Sequence, residues 1–219
     1  MRILQTDAFE ASYGGAEANV AVSLAVLKDP VSFVTKLPEN PVGTAALNEV
    51  RRYGADTSKV VIGGSRLGIY FFEKGTDIRP TNVVYDREGS ALALAKPEEF
   101  HWDEILKDTD IFYFSGVTPA VSENIAKAVL EALKYCKAHG IETVCDLNYR
   151  SKMWDTKKAQ SVMSELMNYV TLCIANDEDF ESSLGIHAYD GDISKGIDQI
   201  ESYKAGMKEI QNQIGRAHV

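Results

Sequence analysis

The spacing of apolar residues near the start of the chain predicts a helix, a short strand and a second helix. Residues 16–27 carry apolar side chains at helical spacing, and the β-rich run 31–37 follows them. The next apolar pattern opens with Pro41, which suits a first helical turn, and ends at Gly54, which suits the position after a last turn. We therefore expect two helices on either side of one strand.

The middle of the chain has short β-rich runs instead of helical spacing. Three such runs, "KVVIG", "LGIYFFEKG" and "TNVVYDR", are separated by Gly, Asp and Pro residues. The run "LQTDAFEAS" near the start also alternates and is a candidate to join them. The pattern predicts a small antiparallel β appendage, with strands near residues 3–13 and 66–93.

Strands and helices alternate again after Pro97. The strands are expected in "DIFYFSG", "IETVCDLN" and "VTLCIAN". Between them lie a helix from Ser122 to about His139 and an amphipathic helix capped by Asp155, and "DEDFESSLG" starts another helix. This order predicts an α/β fold in which helices cover a parallel sheet, as a single domain over residues 1–219.

Composition narrows the classes of partner. The 219 residues are 45% hydrophobic and 25% charged, with a net charge of −9. This balance argues against a nucleic-acid surface but leaves room for a small anionic substrate at a local group of basic residues. Cys136, Cys145 and Cys173 lack metal or redox spacing and are expected to be free thiols in a reducing compartment. Without a leader or an apolar run of membrane length, we expect a cytoplasmic protein.

Polar residues follow the predicted parallel strands, where ligands bind in such sheets. Arg150 follows "CDLN" and either binds a carboxylate or phosphate or pairs with Asp155. Alternation along the strand places Asp146 and Asn148 at the same edge. The acidic run from Asn176 to Asp179 either stabilises a first helical turn or holds magnesium and phosphate.

A second group of candidates belongs to the first half of the chain. The stretch "SYGGAEANV" places Gly14, Gly15 and Asn19 at the mouth of an apolar helix, as a turn and cap or as a place where a ligand approaches the backbone. Tyr70 and the pair Tyr85–Arg87 lie on predicted strands of the appendage. These three side chains either pack within the appendage or bind a polar acid.

Several motifs resemble the ribokinase-like (PfkB) carbohydrate kinases. They include "GGAEANVAVSLAVL", "GIYFFEKG", "VVYDREGSA", "FSGVTPAVS" and "CDLNYRSKMW", and the resemblance runs from about Gln5 to about Ile186. The combination of "VVYDREGSA" with "DLNYRSKMW" is similar to the branch that phosphorylates 2-keto-3-deoxygluconate with ATP. The resemblance implies a ribokinase-like three-layer α/β fold with a small β lid, through which such chains pair as homo-oligomers.

The resemblance also implies roles for single residues. The substrate-binding positions of the family fall on Gly15, Asn19, Tyr70, Tyr85, Arg87 and Arg150. Asn148 and Asn176 fall where the family approaches ATP. Asp179 occupies the acidic end of the family's Asn-x-x-Glu element, which is linked to Mg²⁺, but its side chain is one methylene shorter. The expected partner is a small sugar acid, with ATP and Mg²⁺ as cofactors and neither nucleic acid nor membrane involved.

The catalytic base of the family is an aspartate in a "GAGD"-type motif, and no G-x-G-D occurs in this sequence. Gly191 and Asp192 in "YDGDIS" come too early in the chain to be that motif. The terminal "IGRAHV" is also the translation of a common sequencing adapter. We therefore expect the substrate-binding part of a kinase, truncated at its C-terminal side and inactive alone. The alternatives are a fructokinase or ribokinase of the same family, or a non-catalytic sugar-acid binding module.

Overall fold

The computed structural model describes residues 2–187, 204, 207–208, 211–212 and 216–218, and the chain divides into two units, Met1–Ala95 and Lys96–Val219. The prediction of one domain over the whole chain stays a prediction. Within the described residues, no helix combines the length and apolar character needed to cross a membrane. The elements of the first unit are α1 (Ala16–Val26), β1 (Lys36–Leu37), α2 (Pro41–Arg51), β2 (Val61–Ile62), β3 (Ile69–Glu73) and β4 (Asn82–Asp86).

Both predicted helices of the first unit are present. The Asn40 side chain caps α2 by accepting hydrogen bonds from the amides of Val42 at 3.1 Å and Gly43 at 3.0 Å. A side chain on Gly43 would place its Cβ 2.1 Å from the carbonyl oxygen of Pro38. The helix therefore begins where the sequence predicts, and the absence of a side chain on Gly43 lets its first turn pack on the preceding loop.

The segment "KVVIG" forms part of a parallel pair, so the expectation of an antiparallel strand there is wrong. Strand β2 pairs with β1 in parallel, with Lys36 opposite Val61 and Leu37 opposite Ile62. The physical reason is the connection, because α2 lies between the two strands and returns the chain to the same end of the pair. The predicted strand over 31–37 is also short, since its first part contributes only a bridge between Ser32 and Asp56.

Strands β3 and β4 form the expected antiparallel hairpin, with five residues of each paired. The candidate strand near residues 3–13 is wrong. Residues Ile3–Gln5 form a 3₁₀ turn, and no strand follows as far as residue 13. This segment meets the hairpin through side chains, because the Ile3 amide donates to Glu73 Oε2 at 3.0 Å and the rings of Phe9 and Phe71 lie 5.2 Å apart. Alternation alone could not distinguish this packing from a strand.

The second unit confirms the parallel sheet covered by helices. Its four described strands each pair with the next strand along the chain, and all of the pairs are parallel. Ser122, Asp155 and Asn176 cap the three long helices as their residue types predict. The elements are α3 (Trp102–Ile105), β5 (Ile111–Ser115), α4 (Glu123–His139), β6 (Glu142–Asp146), α5 (Thr156–Met167), β7 (Leu172–Ile174), α6 (Asp177–Leu184) and β8 (Arg216–His218).

The three cysteines are buried free thiols, as predicted. Cys145 and Cys173 lie opposite each other on β6 and β7. Burial raises the pKa of the Cys173 thiol to about 12 from its ordinary value of 9.0, and the nearby carboxylates of Asp146 and Asp179 act in the same direction. Burial likewise raises the pKa of Cys136 to about 11. A reactive thiolate at these positions is therefore disfavoured.

We expect the stability of the second unit to fall with alkaline pH because of Cys173. Its thiol ionises in the unfolded chain near its ordinary value of 9.0 but stays protonated in the folded chain up to about 12. The contribution of the protonated thiol to the free energy of unfolding is fully present below pH 9. Above pH 9 it is lost progressively, by about 1.4 kcal/mol for each pH unit. The free energy of unfolding, measured with urea, should be lower at roughly pH 10 than at pH 8. This decrease should be smaller by about 1 kcal/mol in Cys173→Ala than in the unaltered chain. Equal drops in both proteins would contradict the prediction.

Candidate functional site

Three of the predicted substrate residues share one face of the hairpin in the first unit. Tyr70 on β3 lies directly opposite Tyr85 on β4, so both side chains point to the same side, with ring centroids 6.3 Å apart. Arg87 follows Tyr85 by two positions, and its Cζ lies 4.3 Å from the centroid of the Tyr85 ring. This cation–π contact holds a guanidinium beside two phenol groups.

The Tyr70 hydroxyl reaches the start of α1. A Cβ added to Gly14 would lie 3.0 Å from that hydroxyl and 3.9 Å from Asn19 Oδ1. The structure therefore brings together what we call the hairpin cluster, which consists of Gly14, Asn19, Tyr70, Tyr85 and Arg87. The doubled glycine was visible in the sequence, but only this contact identifies Gly14 as the one that leaves room for the tyrosine.

The resemblance assigns Gly15 to the substrate, but among the described residues no contact requires glycine at this position. Its φ of 165° is extended backbone, and a Cβ there would meet Ala18 Cβ at an ordinary 3.6 Å. The residue lies exposed immediately before the first residue of α1. A role for Gly15 toward a ligand stays a prediction.

The two glycines can be separated by substitution. We expect Gly15→Ala to change the free energy of unfolding by no more than about 1 kcal/mol, because the position only precedes the helix. If a ligand approaches Gly15, the same change should weaken sugar-acid binding by roughly tenfold through a steric clash. Gly14→Ala should instead act by displacing Tyr70, so it should add little once Tyr70 is already Phe. Calorimetric titration of these variants checks both statements, and unchanged affinity in Gly15→Ala would remove Gly15 from the site.

The ends of three parallel strands meet in the second unit. The Gly116 amide, just after β5, donates to the carbonyl oxygen of Asp146 at 2.8 Å, and a Cβ on Gly116 would lie 2.1 Å from the carbonyl oxygen of Leu147. The Leu147 amide in turn donates to the carbonyl oxygen of Ile174 at 3.0 Å. The loops that follow β5, β6 and β7 are therefore held together at one edge of the sheet.

These loops bring the predicted nucleotide and metal residues together. The Asn176 side chain accepts from the Asp179 amide at 2.7 Å, and Asp179 Oδ1 accepts from the Tyr149 amide at 2.9 Å. Asn148, directly before Tyr149, adopts a left-handed backbone with φ of 38°, a conformation that asparagine tolerates better than most residues. We call Asn148, Asn176 and Asp179 the strand-end cluster. The contacts show that Asn176 and Asp179 also hold the local backbone.

The proposed magnesium role of Asp179 stays a prediction. No group of three or more acidic, His or Cys side chains that could hold a metal occurs in the described part of the chain. A magnesium ion that is shared with phosphate groups needs only one or two protein carboxylates, so Asp179 still fits such an ion. One of its oxygens is already used by the Tyr149 amide.

Arg150 lies at the surface beside this cluster. Its Nη1 donates to the carbonyl oxygen of Tyr149 at 2.8 Å, and the side chain is exposed. The alternative partner, Asp155, instead accepts from the Lys158 amide at 2.8 Å as the cap of α5. The suggested ion pair between Arg150 and Asp155 is not seen among the described contacts. Gly191 and Asp192, which were rejected as a base motif, lie outside the described residues.

A groove of about 410 Å³ runs between α4, α5 and the loop that carries Trp154. The ion pair of Lys158 with Glu123, at 2.9 Å, is part of its lining. The indole N–H of Trp154 is buried and has no partner within the described residues. The described lining of this groove contains no residue of the hairpin cluster or of the strand-end cluster. The predicted binding residues therefore lie elsewhere.

Comparison with known proteins gives one consistent result. The model of the protein family described as "pfkB family carbohydrate kinase" matches residues 2–218. A 2-dehydro-3-deoxygalactonokinase from Haloferax volcanii is 36% identical over 191 residues, which are 87% of this chain and 59% of that protein. A 5-dehydro-2-deoxygluconokinase from Shouchella clausii is 29% identical over 187 residues, which are 84% of this chain and 56% of that protein.

Solved structures agree with the sequence matches. The crystal structure of a 2-dehydro-3-deoxygluconokinase from Thermotoga maritima superposes with a TM-score of 0.91 and 44% identity, over 99% of this chain and 64% of that one. A PfkB carbohydrate kinase from Listeria grayi gives a TM-score of 0.86 and 32% identity, over 100% of this chain and 64% of that one. The chain thus spans less than two thirds of the length of these relatives.

Proposed function

The chain belongs to the pfkB family of carbohydrate kinases, and on that basis we propose that it is the sugar-acid-binding part of a kinase that transfers the γ-phosphate of ATP to 2-keto-3-deoxygluconate. The Haloferax and Thermotoga relatives both carry names of kinases for 2-dehydro-3-deoxy sugar acids, which supports this class of substrate. The motif combination of "VVYDREGSA" with "DLNYRSKMW" supports the gluconate form.

The hairpin cluster is the observation that carries the proposal. A guanidinium binds a carboxylate through parallel charged hydrogen bonds, and the ring of Tyr85 orients the Arg87 guanidinium 4.3 Å from its centroid. The Tyr70 hydroxyl and Asn19 amide, which lie near each other at Gly14, are suited to sugar hydroxyl groups. A neutral sugar offers no carboxylate for the Arg87 guanidinium to bind. Arg150, in the second unit, is proposed separately as a substrate residue, on the family resemblance alone.

The strand-end cluster is proposed to serve the nucleotide. Asn148 and Asn176 supply amide groups at the edge of the sheet where ligands of α/β proteins bind. Asp179 would hold Mg²⁺, which when bound neutralises phosphate charge during transfer. The side chains of this chain would then act by binding and orienting the sugar hydroxyl, which is most of what phosphoryl transfer asks of a protein. A cytoplasmic location and pairing through the hairpin remain predictions.

A second candidate function is sugar-acid binding without turnover. It is favoured by the absence of a G-x-G-D motif from these 219 residues. Both candidates share the hairpin cluster and differ only in the chemical step, so binding experiments test what they have in common and a turnover assay separates them.

Calorimetric titration with 2-keto-3-deoxygluconate, fructose and ribose tests the proposed substrate class. We expect the acid to bind at least about tenfold more tightly than either neutral sugar, because only the acid can pair with a guanidinium. Arg87→Met should remove most of this preference. Equal affinity for the acid and for fructose would favour a different sugar kinase of the family and would contradict the proposal.

A further inference from the structure

Arg66 binds the backbone on both sides of Arg87. Its Nη1 donates to the carbonyl oxygen of Glu88 at 3.0 Å, and its Nη2 donates to that of Asp86 at 3.1 Å. The same Nη2 lies 2.8 Å from Asp86 Oδ2 as an ion pair. One guanidinium therefore fixes the residue before Arg87 and the residue after it.

Backbone hydrogen bonds connect the turn after Arg87 to Arg66 and to Arg87 itself. The Ala91 amide donates to the carbonyl oxygen of Arg66 at 2.8 Å, and the Ser90 amide donates to that of Arg87 at 3.1 Å. A Cβ on Gly68 would meet Ser90 Cβ at 3.3 Å and Arg87 Cγ at 3.6 Å, so the stem of Arg87 runs close beside the chain that leads into β3. The position of Arg87 depends on this turn, and the turn is held by Arg66.

We propose that Arg66 is a positioning residue that determines where the Arg87 guanidinium lies and thereby sets the preference of the site for a sugar acid over a neutral sugar. This inference rests on the proposed function. Binding of a carboxylate by two parallel hydrogen bonds depends on the placement of the guanidinium, and an arginine side chain has many rotamers to choose from. Arg66 acts only through Arg87 and needs no contact with the substrate.

The contacts of Arg66 require the planar guanidinium group of an arginine. Its donors reach two carbonyl oxygens and a carboxylate from one rigid group, whereas a lysine ammonium is a single point with flexible donors. Lysine at position 66 should keep the ion pair with Asp86 and lose part of the backbone contact. Arg66→Lys is therefore expected to retain part of the selectivity that Arg66→Met loses.

Titration of Arg66→Met and Arg66→Lys with 2-keto-3-deoxygluconate and with fructose tests the inference. Loss of the charged hydrogen bonds in Arg66→Met should weaken acid binding about tenfold or more and leave fructose binding within about threefold. The matched control is Arg52→Met, which removes an arginine that pairs with Glu49 at 2.8 Å elsewhere in the same unit and should leave both affinities unchanged. Circular dichroism reports folding, and Arg66→Lys carries the test if Arg66→Met does not fold.

The double variant Arg66→Met/Arg87→Met separates positioning from general packing. If Arg66 acts through Arg87, this variant should bind the acid no more weakly than Arg87→Met alone. Additive losses, or equal losses for the acid and for fructose, would overturn the role of Arg66. If the unaltered chain shows no preference for the acid, the proposed function fails with it. If the preference is present and survives in Arg66→Met, only the inference about Arg66 fails.

Discussion

The chain of 219 residues is expected to show no measurable phosphoryl transfer, whereas a version extended with the part of the Thermotoga relative that this chain does not span is expected to turn over. The reason is that the sequence contains no G-x-G-D motif, which the family resemblance implies as the source of the base and of the backbone amides around the transferred phosphate. Losing such amides typically lowers the rate by about 10²–10³, and losing a general base by a further 10²–10⁴. The combined effect would place turnover below detection.

A coupled assay with ATP, Mg²⁺ and 2-keto-3-deoxygluconate measures this difference. The matched control is the extended chain with the aspartate of the G-x-G-D motif, which the family resemblance implies in the added part, changed to asparagine. This variant should lose activity again without losing affinity for the acid. A short chain that turns over at a rate near that of the extended chain would contradict the prediction. Asp192 would then be the first residue to test as the base.

Replacing Arg150 is expected to weaken binding of the keto acid strongly. Removing the cationic partner of a bound carboxylate typically weakens binding by about 2–4 kcal/mol. Folding should be little affected by Arg150→Ala, because the side chain is exposed and its hydrogen bond goes to the adjoining Tyr149 carbonyl at 2.8 Å. The dissociation constant for 2-keto-3-deoxygluconate should therefore rise while the unfolding midpoint stays nearly constant.

The control for Arg150 is Lys157→Met, which removes a positive charge from an exposed position in the first turn of α5. This change should have little effect on affinity, since charges exposed to water interact weakly. If Arg150→Ala binds the acid as tightly as the unaltered chain, Arg150 does not belong to the site. If Lys157→Met weakens binding equally, the effect is one of net charge and does not depend on the position of Arg150.

Local residue chemistry determined most of the elements. Ser122 and Asp155 were predicted at helix N-termini, and the described contacts confirm both as caps. Asn176 also caps a helix, which the sequence predicted only to start within "DEDFESSLG". A cap depends on hydrogen bonds within three residues of itself, so the sequence contains all that is needed. The alternation of strands and helices after Pro97 likewise predicted the parallel sheet, because parallel strands need a long crossover connection and a helix is the usual one.

Pairing partners were harder to predict. The "KVVIG" segment was expected beside the antiparallel strands and instead pairs in parallel with β1. Residues 3–13 alternate like a strand but meet the hairpin through the ring of Phe9 and the Ile3 amide. In both cases the local pattern suits an extended chain and says nothing about which neighbour completes its hydrogen bonds.

The sequence by itself determined the family, the fold class, the helix caps and the kinds of residue at the candidate site, because these depend on local spacing and on motifs that can be read in order. The tertiary structure decided which glycine lies against Tyr70 and that Arg66 holds both neighbours of Arg87. It also decided that Asp179 supports the Tyr149 backbone, thirty positions earlier in the chain. These contacts join segments far apart in sequence, and their distances follow from packing that no local pattern records.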